Sequence, residues 1–251
     1  MSDGRRTLLV ALAHPDDEVA AAGAILAQRA RGDRVVLVWL THGGMTEAFG
    51  PASPEEVRRR RAEQARRAAE ILDVETRFMD FEDTRVEATP EAAARVARLV
   101  AEIRPDGVLT MGDAWRRGLR HPDHQAAGQI VRDAVSLARI RKVVEPREPH
   151  RAFVPVFTLR GIHSTLPAVA IDVEPHLETM FELGRFYQAS IGFGDPEWMR
   201  RRLRHAGERW GLEHAEEYDA WETEPGVVPS LLPARDAVPD LQPETREGPV
   251  G

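Results

Sequence analysis

Two short stretches concentrate residues that could do chemistry. The first is His14-Pro15-Asp16-Asp17-Glu18 and the second is His121-Pro122-Asp123-His124. Three consecutive carboxylates beside a histidine repel one another unless a cation holds them. His14 and Asp17 are three apart at a turn entering a helix, a spacing that sets Cβ atoms roughly 5–6 Å apart. His121 and His124 share that spacing. Two histidines, one carboxylate and a water form the ligand set of a catalytic zinc site with an open position. Without thiolates, other divalent metals suit it too. The pattern predicts His14, Asp17 and His124 as ligands, although arrangement alone does not separate Asp16 from Asp17. Asp16 is then suited to take a proton from a metal-bound water. His121, if protonated, suits the leaving group or an oxyanion, and Asp123 is placed to orient His121. Glu18 reads as an acid favoured in a first helical turn. The competing reading of the first stretch is a helix-capping acid beside a surface histidine, and the second stretch counts against it.

The elements that position these residues follow from periodicity. Residues 7–13 are a nearly continuous apolar run, read as a strand, and a helix is predicted over 17–31. Strand 34–41 is apolar throughout, as in a parallel sheet covered on both faces. Ser53-Pro54-Glu55-Glu56 is a capping-box start for a helix to 72. A strand over 73–79, a helix over 89–103 and a strand over 107–111 follow. After these come a helix over 122–138, strands over 153–159 and 168–173, and helices over 175–190 and 196–211. The alternation predicts a Rossmann-like three-layer α/β sandwich with a mostly parallel sheet. In the common strand order 3-2-1-4-5, strands one and four flank the crevice where ligands bind. The two histidine stretches follow those two strands. The first turn lacks G-x-G-x-x-G, and its carboxylates would repel a pyrophosphate, so a dinucleotide is not expected.

Composition narrows the classes. The chain has 251 residues, 42% apolar and 30% charged, with net charge −7 and no cysteine. The negative balance disfavours nucleic acid, and the lack of cysteine excludes thiolate chemistry. Lys142 is the only lysine and sits in a charged, proline-flanked stretch, so Schiff-base catalysis is not expected. No apolar run approaches the ~20 residues of a membrane span, and the N-terminus lacks a signal-peptide core. The expectation is a soluble cytoplasmic protein. It would have one domain over 1–222 and a proline-rich, flexible tail over 223–251. His42, at the end of strand two, is a candidate substrate contact, as are Asp113 and Arg117 before the second stretch. Arg58 to Arg61, among glutamates, read as a solvated helix face. Asp80, Glu82 and Asp83 follow strand three and are candidates to line the pocket, although solvated loop acids are the simpler reading. His150, His163, His176, His205 and His214 read as structural or surface residues.

With both histidine stretches in place, the sequence resembles the PIG-L family of zinc-dependent deacetylases, also called LmbE-like proteins, over roughly 7–220. Arg60-x-x-Glu63 and Ala215-Glu216-Glu217-Tyr218 are weaker matches. The resemblance implies hydrolysis of the N-acetyl group of an N-acetylglucosaminyl compound with release of acetate. Members act on glucosaminyl malate or inositol in low-molecular-weight thiol biosynthesis, on chitobiose-type sugars or on antibiotic intermediates. It implies His14, Asp17 and His124 as zinc ligands and Asp16 as general base. It gives His121 the oxyanion or acid role and makes Arg60 a substrate contact. It also implies a small-molecule substrate and a homo-oligomer such as a trimer or hexamer. The alternatives are a metal-binding sugar-recognition protein without catalysis and a metal hydrolase of another amide.

Overall fold

Strand β1 (Thr7–Leu12) lies in the interior of the sheet, with Leu8 to Ala13 almost wholly buried. The computed structural model describes residues 5–112, 121–161 and 163–233, so Asp113 and Arg117 lie outside the described residues. The other strands are β2 (Arg34–Thr41), β3 (Glu75–Phe81), β4 (Gly107–Thr110), β5 (Val156–Leu159), β6 (Ala168–Asp172), β7 (Ala215–Ala220) and β8 (Gly226–Val227). They form one sheet in the order β3-β2-β1-β4-β5-β7-β6-β8. The pairs from β3 through β5 are parallel, as expected, whereas β7 runs antiparallel to both β5 and β6.

The helices are α1 (Ala22–Ala30), α2 (Pro54–Leu72), α3 (Pro90–Ile103), α4 (Pro122–Leu137), α5 (Arg141–Val144), α6 (Leu177–Ile191) and α7 (Pro196–Trp210). The chain moves outward from β1 to β3, then crosses back past β1 to β4. Right-handed crossovers therefore put α1 and α2 on one face and α3 and α4 on the other. The packing agrees: α3 packs on α4 and α5, while α1, α2, α6 and α7 form the second layer. The reversal leaves a crevice between the carboxyl ends of β1 and β4.

Three features depart from the sequence expectation. The helix expected from 17 is a separate 3-10 turn, Asp17–Ala20, with α1 starting only at Ala22. Strand β7, Ala-Glu-Glu-Tyr-Asp-Ala, was not expected because its acids hide its burial. The flexible tail expected from residue 223 is corrected for 223–233. Val228 N–H donates to Ala170 O (2.8 Å), and Leu231 and Leu232 are buried. Leu232 exchanges hydrogen bonds with the Gln28 amide (3.0 and 3.3 Å), and its side chain packs against Gly107. Burying such leucines is worth roughly 1.5–3 kcal/mol each, which ties this segment down without any periodic pattern. The residues beyond 233 lie outside the described residues. No helix among the described residues is long and apolar enough to cross a membrane.

Candidate metal and catalytic site

His14 follows β1 directly, and its backbone N–H donates to Asp17 Oδ2 (2.8 Å), as does that of Ala13 (3.1 Å). This leaves Asp17 Oδ1 turned toward His124 Nε2, 3.0 Å away. His14 Nδ1 lies 3.2 Å from the same His124 Nε2 and 3.7 Å from Asp17 Oδ2. Ligands about 2.0–2.1 Å from a tetrahedral zinc lie roughly 3.3 Å apart, a spacing that the His14–His124 and Asp17–His124 pairs match. His14, Asp17 and His124 also form a cluster whose potential donor atoms all lie within 4.8 Å of one another. The two distant sequence stretches are thus brought together around one point.

The other edge of His14 decides which nitrogen is free. Nε2 lies 3.2 Å from Asp123 Oδ2 and 3.2 Å from Asp83 Oδ1. Two carboxylates there favour the Nε2–H form, leaving the Nδ1 lone pair for the cation. Burial opposes protonation of His14. Asp123, Asp83 and Asp17 overcome it and raise the imidazole to about 10, so without a cation a proton occupies the place. Burial works against Asp17 too, yet its carboxyl is held below the usual range by His124 and His14. Asp83 was expected to be a solvated loop acid. It is buried instead, and it accepts from Met45 N–H (2.8 Å).

Asp123 also departs from expectation. Its carboxylate is 4.0 Å from His121 Nδ1, beyond hydrogen-bond range. It accepts from the backbone of Thr84 (2.8 Å) and Val86 (3.2 Å) and sits on His14. The group that orients His121 is the Asp123 backbone N–H, which donates to His121 Nδ1 (3.3 Å). His121 is the N-cap of α4, with Pro122 following at the first helical position. With Nδ1 accepting, the neutral ring carries its proton on Nε2 as a donor. Burial, then His14, pushes the His121 pKa down. The neutral ring, not the imidazolium considered from sequence, is the favoured form.

Asp16 takes a left-handed conformation, φ 108° and ψ −24°, which costs a non-glycine residue about 1–2 kcal/mol. Glu18 holds it there. Glu18 is fully buried, and its Oε2 accepts from Asp16 N–H (2.9 Å) and from the Trp39 indole (3.0 Å). Its Oε1 accepts from the Tyr187 hydroxyl (2.5 Å). Burial raises the Glu18 carboxyl, against those hydrogen bonds. The Asp16 side chain lines the cleft, and its Oδ2 accepts from Arg61 Nη2 (2.7 Å). Burial, with Asp17 and Glu18 adding to it against Arg61, raises Asp16 to about 8, near the range of a working base at neutral pH.

Arg61 is the arginine of the site. It is 2% exposed, reaches Pro15 O and Asp16, and is braced by Gln64 Oε1 (2.9 Å). Arg60, the residue implied by the resemblance, points away. It pairs with Glu56 (2.8 Å) on the surface and sits over the Phe49 ring. Helical phase would have found the difference, because Val57, Arg61, Ala65, Ala68 and Leu72 share the buried stripe of α2. Gly43, at φ 62°, makes room for this arginine, since a Cβ there would meet Arg61 Nε at 3.0 Å. His42 is outside the cleft. It stacks on Phe78 (4.1 Å between centroids) and pairs with Asp80 (2.6 Å). The cleft itself, about 480 Å³, joins the His14–Asp16–Asp17–His121–His124 group to an apolar wall of Met111, Leu159, Ile191 and Phe193.

Fold and site together define an α/β protein with two histidines and an aspartate, a group that could hold a cation, at its topological switch point. The chain matches the PIG-L family model, described as GlcNAc-PI de-N-acetylase, over residues 9–135, and it belongs to that family. A diacetylchitobiose deacetylase of Thermococcus kodakarensis is 37% identical over 127 residues, covering 50% of this chain and 47% of that one. The chain spans about half the length of the curated relatives it matches. Among solved structures, N,N'-diacetylchitobiose deacetylase of Pyrococcus horikoshii superposes with a TM-score of 0.76 at 21% identity, covering 86% and 84% of the two chains. GalB, a 4-carboxy-2-hydroxymuconate hydratase of Pseudomonas putida, gives 0.74 at 21% identity, covering 87% and 97%. At that identity the likeness shows the fold alone, and a fold shared with a hydratase does not name a reaction.

Proposed function

We propose that the protein is a zinc-dependent hydrolase that removes the acetyl group of an N-acetylglucosaminyl compound and releases acetate. The observation that carries this reading is the convergence of His14 Nδ1, His124 Nε2 and Asp17 beside the raised carboxyl of Asp16. His14, Asp17 and His124 would hold the cation, and nitrogen and oxygen donors at tetrahedral spacing suit zinc. Bound there, it supplies Lewis acidity to a carbonyl oxygen and lowers the pKa of a water. Asp16 Oδ2 is tied to Arg61, which leaves Oδ1 to take the proton of the attacking water. His121 Nε2–H donates to the amide oxygen as it gains charge. The proton held by Asp16 passes to the departing nitrogen, giving the free amine and acetate. The apolar wall suits the hydrophobic face of a sugar ring. The family match and the deacetylase relative support the N-acetylglucosaminyl class.

Acetate release from a panel of N-acetylglucosamine conjugates and non-sugar acetamides tests this, with metal content measured on the same sample. Turnover of sugar conjugates that disappears on chelation and returns with zinc is the expected result. Turnover of only the non-sugar amides overturns the substrate class. Metal binding without turnover of any compound favours a recognition protein.

A further inference from the structure

A second cavity, of about 370 Å³, lies beside the catalytic cleft between β7, α7 and the segment after β5. The two adjoin. Ala20 lines both, and at the end of β5 Leu159 faces the cleft while Arg160 and Gly161 face the cavity. Three guanidinium groups, those of Arg160, Arg202 and Arg209, line it together with the carboxylates of Glu216 and Glu217.

The hydrogen bonds sort these groups unequally. Glu217 is occupied on both oxygens, by Arg209 and by the Trp210 indole (2.7 Å). Glu216 is buried; its Oε2 accepts from Gly23 N–H (2.8 Å), Ala24 N–H (3.3 Å) and the Tyr218 hydroxyl, and its Oε1 from Arg202 Nη2 (3.3 Å). Arg160 is held from behind by Asp219 and Leu166 O through a single nitrogen, Nη1. The acceptors are spent, whereas donors remain. Among the described residues Arg160 Nη2, Arg202 Nη1 and Arg209 Nη1 make no hydrogen bond, and the Arg202 guanidinium lies against the Trp198 ring (5.6 Å). Each guanidinium has one carboxylate partner, Arg160 with Asp219, Arg202 with Glu216 and Arg209 with Glu217, and burial favours the neutral form of Glu216. Arginines braced by carboxylates and offering free N–H groups recognise oxyanions by charge-assisted hydrogen bonds.

We propose that this cavity is an anion subsite that takes a carboxylate or phosphate group borne on the aglycone of the substrate. The proposal rests on the deacetylase reading for the substrate that carries the anion. Holding such a group beside the cleft would place the sugar over the cation cluster, so binding energy remote from the reacting bond would orient it.

Two substrates that differ only in charge test it: methyl N-acetylglucosaminide and carboxymethyl N-acetylglucosaminide. The expected ratio of kcat/KM, carboxylate over neutral, is about tenfold or more, as for one charge-assisted hydrogen bond. In Arg202→Gln and Arg209→Gln the ratio falls toward one. A ratio near one in the unaltered protein, or one that neither substitution moves, overturns the proposal. Inorganic phosphate titrated into chelator-treated protein, followed by tryptophan fluorescence, gives a reading independent of catalysis. Saturable binding weakened about tenfold in Arg202→Gln supports the anion site even if neither substrate turns over, in which case it is the deacetylase reading that fails. Phosphate binding combined with a ratio near one means that the cavity takes a free anion, and the aglycone assignment is wrong. No phosphate response and no turnover overturn both.

Discussion

The turn after β1 and the turn into α4 begin with the same His-Pro-Asp, yet their backbones differ. At His121 the chain is extended (φ −67°, ψ 129°) and becomes a regular helix with Pro122 in its first turn. Local chemistry is enough there, since the histidine caps its own helix. At Asp16 the chain is left-handed, and the helix starts six residues later, at Ala22. That conformation depends on partners far away in sequence: Trp39 and Tyr187 through Glu18, and Arg61 directly. The difference teaches that the proposed base is placed by a buried polar network, whereas the proposed oxyanion donor is placed by a helix end. Strain at the first turn is tolerated because the surrounding structure over-determines it.

The contrast can be broken at several strengths. His14→Ala removes the group shared by the cation cluster and the buried carboxylates. It should abolish stoichiometric zinc and lower turnover by roughly 10³-fold or more, read by metal analysis and acetate release. A variant that keeps its metal would place the cation elsewhere.

Chelation is the next largest. In the metal-free protein His14 has a folded pKa of about 10, above its unfolded value. Its stabilising contribution is therefore complete below the unfolded pKa near 6.5 and is lost as pH rises through about 10. Urea unfolding of chelated protein should show stability falling by up to a few kcal/mol across that window. Zinc-loaded protein should not show that fall, because the cation replaces the proton. Parallel pH profiles for the two forms would contradict the assignment of Nδ1.

Glu18→Gln sharpens the comparison itself. One acceptor oxygen becomes an amide N–H₂, so the Asp16 N–H, the Trp39 indole and the Tyr187 hydroxyl cannot all be satisfied. The expected loss is roughly 10–100-fold in kcat, with metal content and KM retained. Tyr187→Phe should lie between this variant and the unaltered protein. A rise in KM at unchanged kcat would mean that Glu18 shapes binding instead of the base. The smallest effect is expected for Arg60→Ala, which changes an exposed pair with Glu56 and should leave kcat/KM within about twofold. A tenfold loss would return Arg60 to the substrate contact that the resemblance implied.

These tests also mark what could be read from the residues in order. The histidine stretches and the parallel half of the sheet were legible, because apolar runs and helix starts are local signals. The meeting of the two stretches followed from strand order. Arg61 was missed because one residue of helical phase separates a solvated arginine from a buried one. Asp83 and Glu18 were missed because an acid's burial depends on partners: His14 and Met45 for one, Trp39 and Tyr187 for the other. The same holds for β7, where Glu216 is buried because the N-terminus of α1 and Tyr218 supply its hydrogen bonds. Residues 226–232 lack any period, and only the Gln28 amide and the space over Gly107 show why they are held.

The central claim is that holding the cation and moving the proton are divided between the neighbouring carboxylates Asp17 and Asp16. Asp16→Asn, assayed for bound zinc and for acetate release on one preparation, tests it most directly. The predicted result is one equivalent of zinc with turnover lowered by about 10²–10⁴-fold. Unchanged turnover, or loss of the zinc, would contradict it.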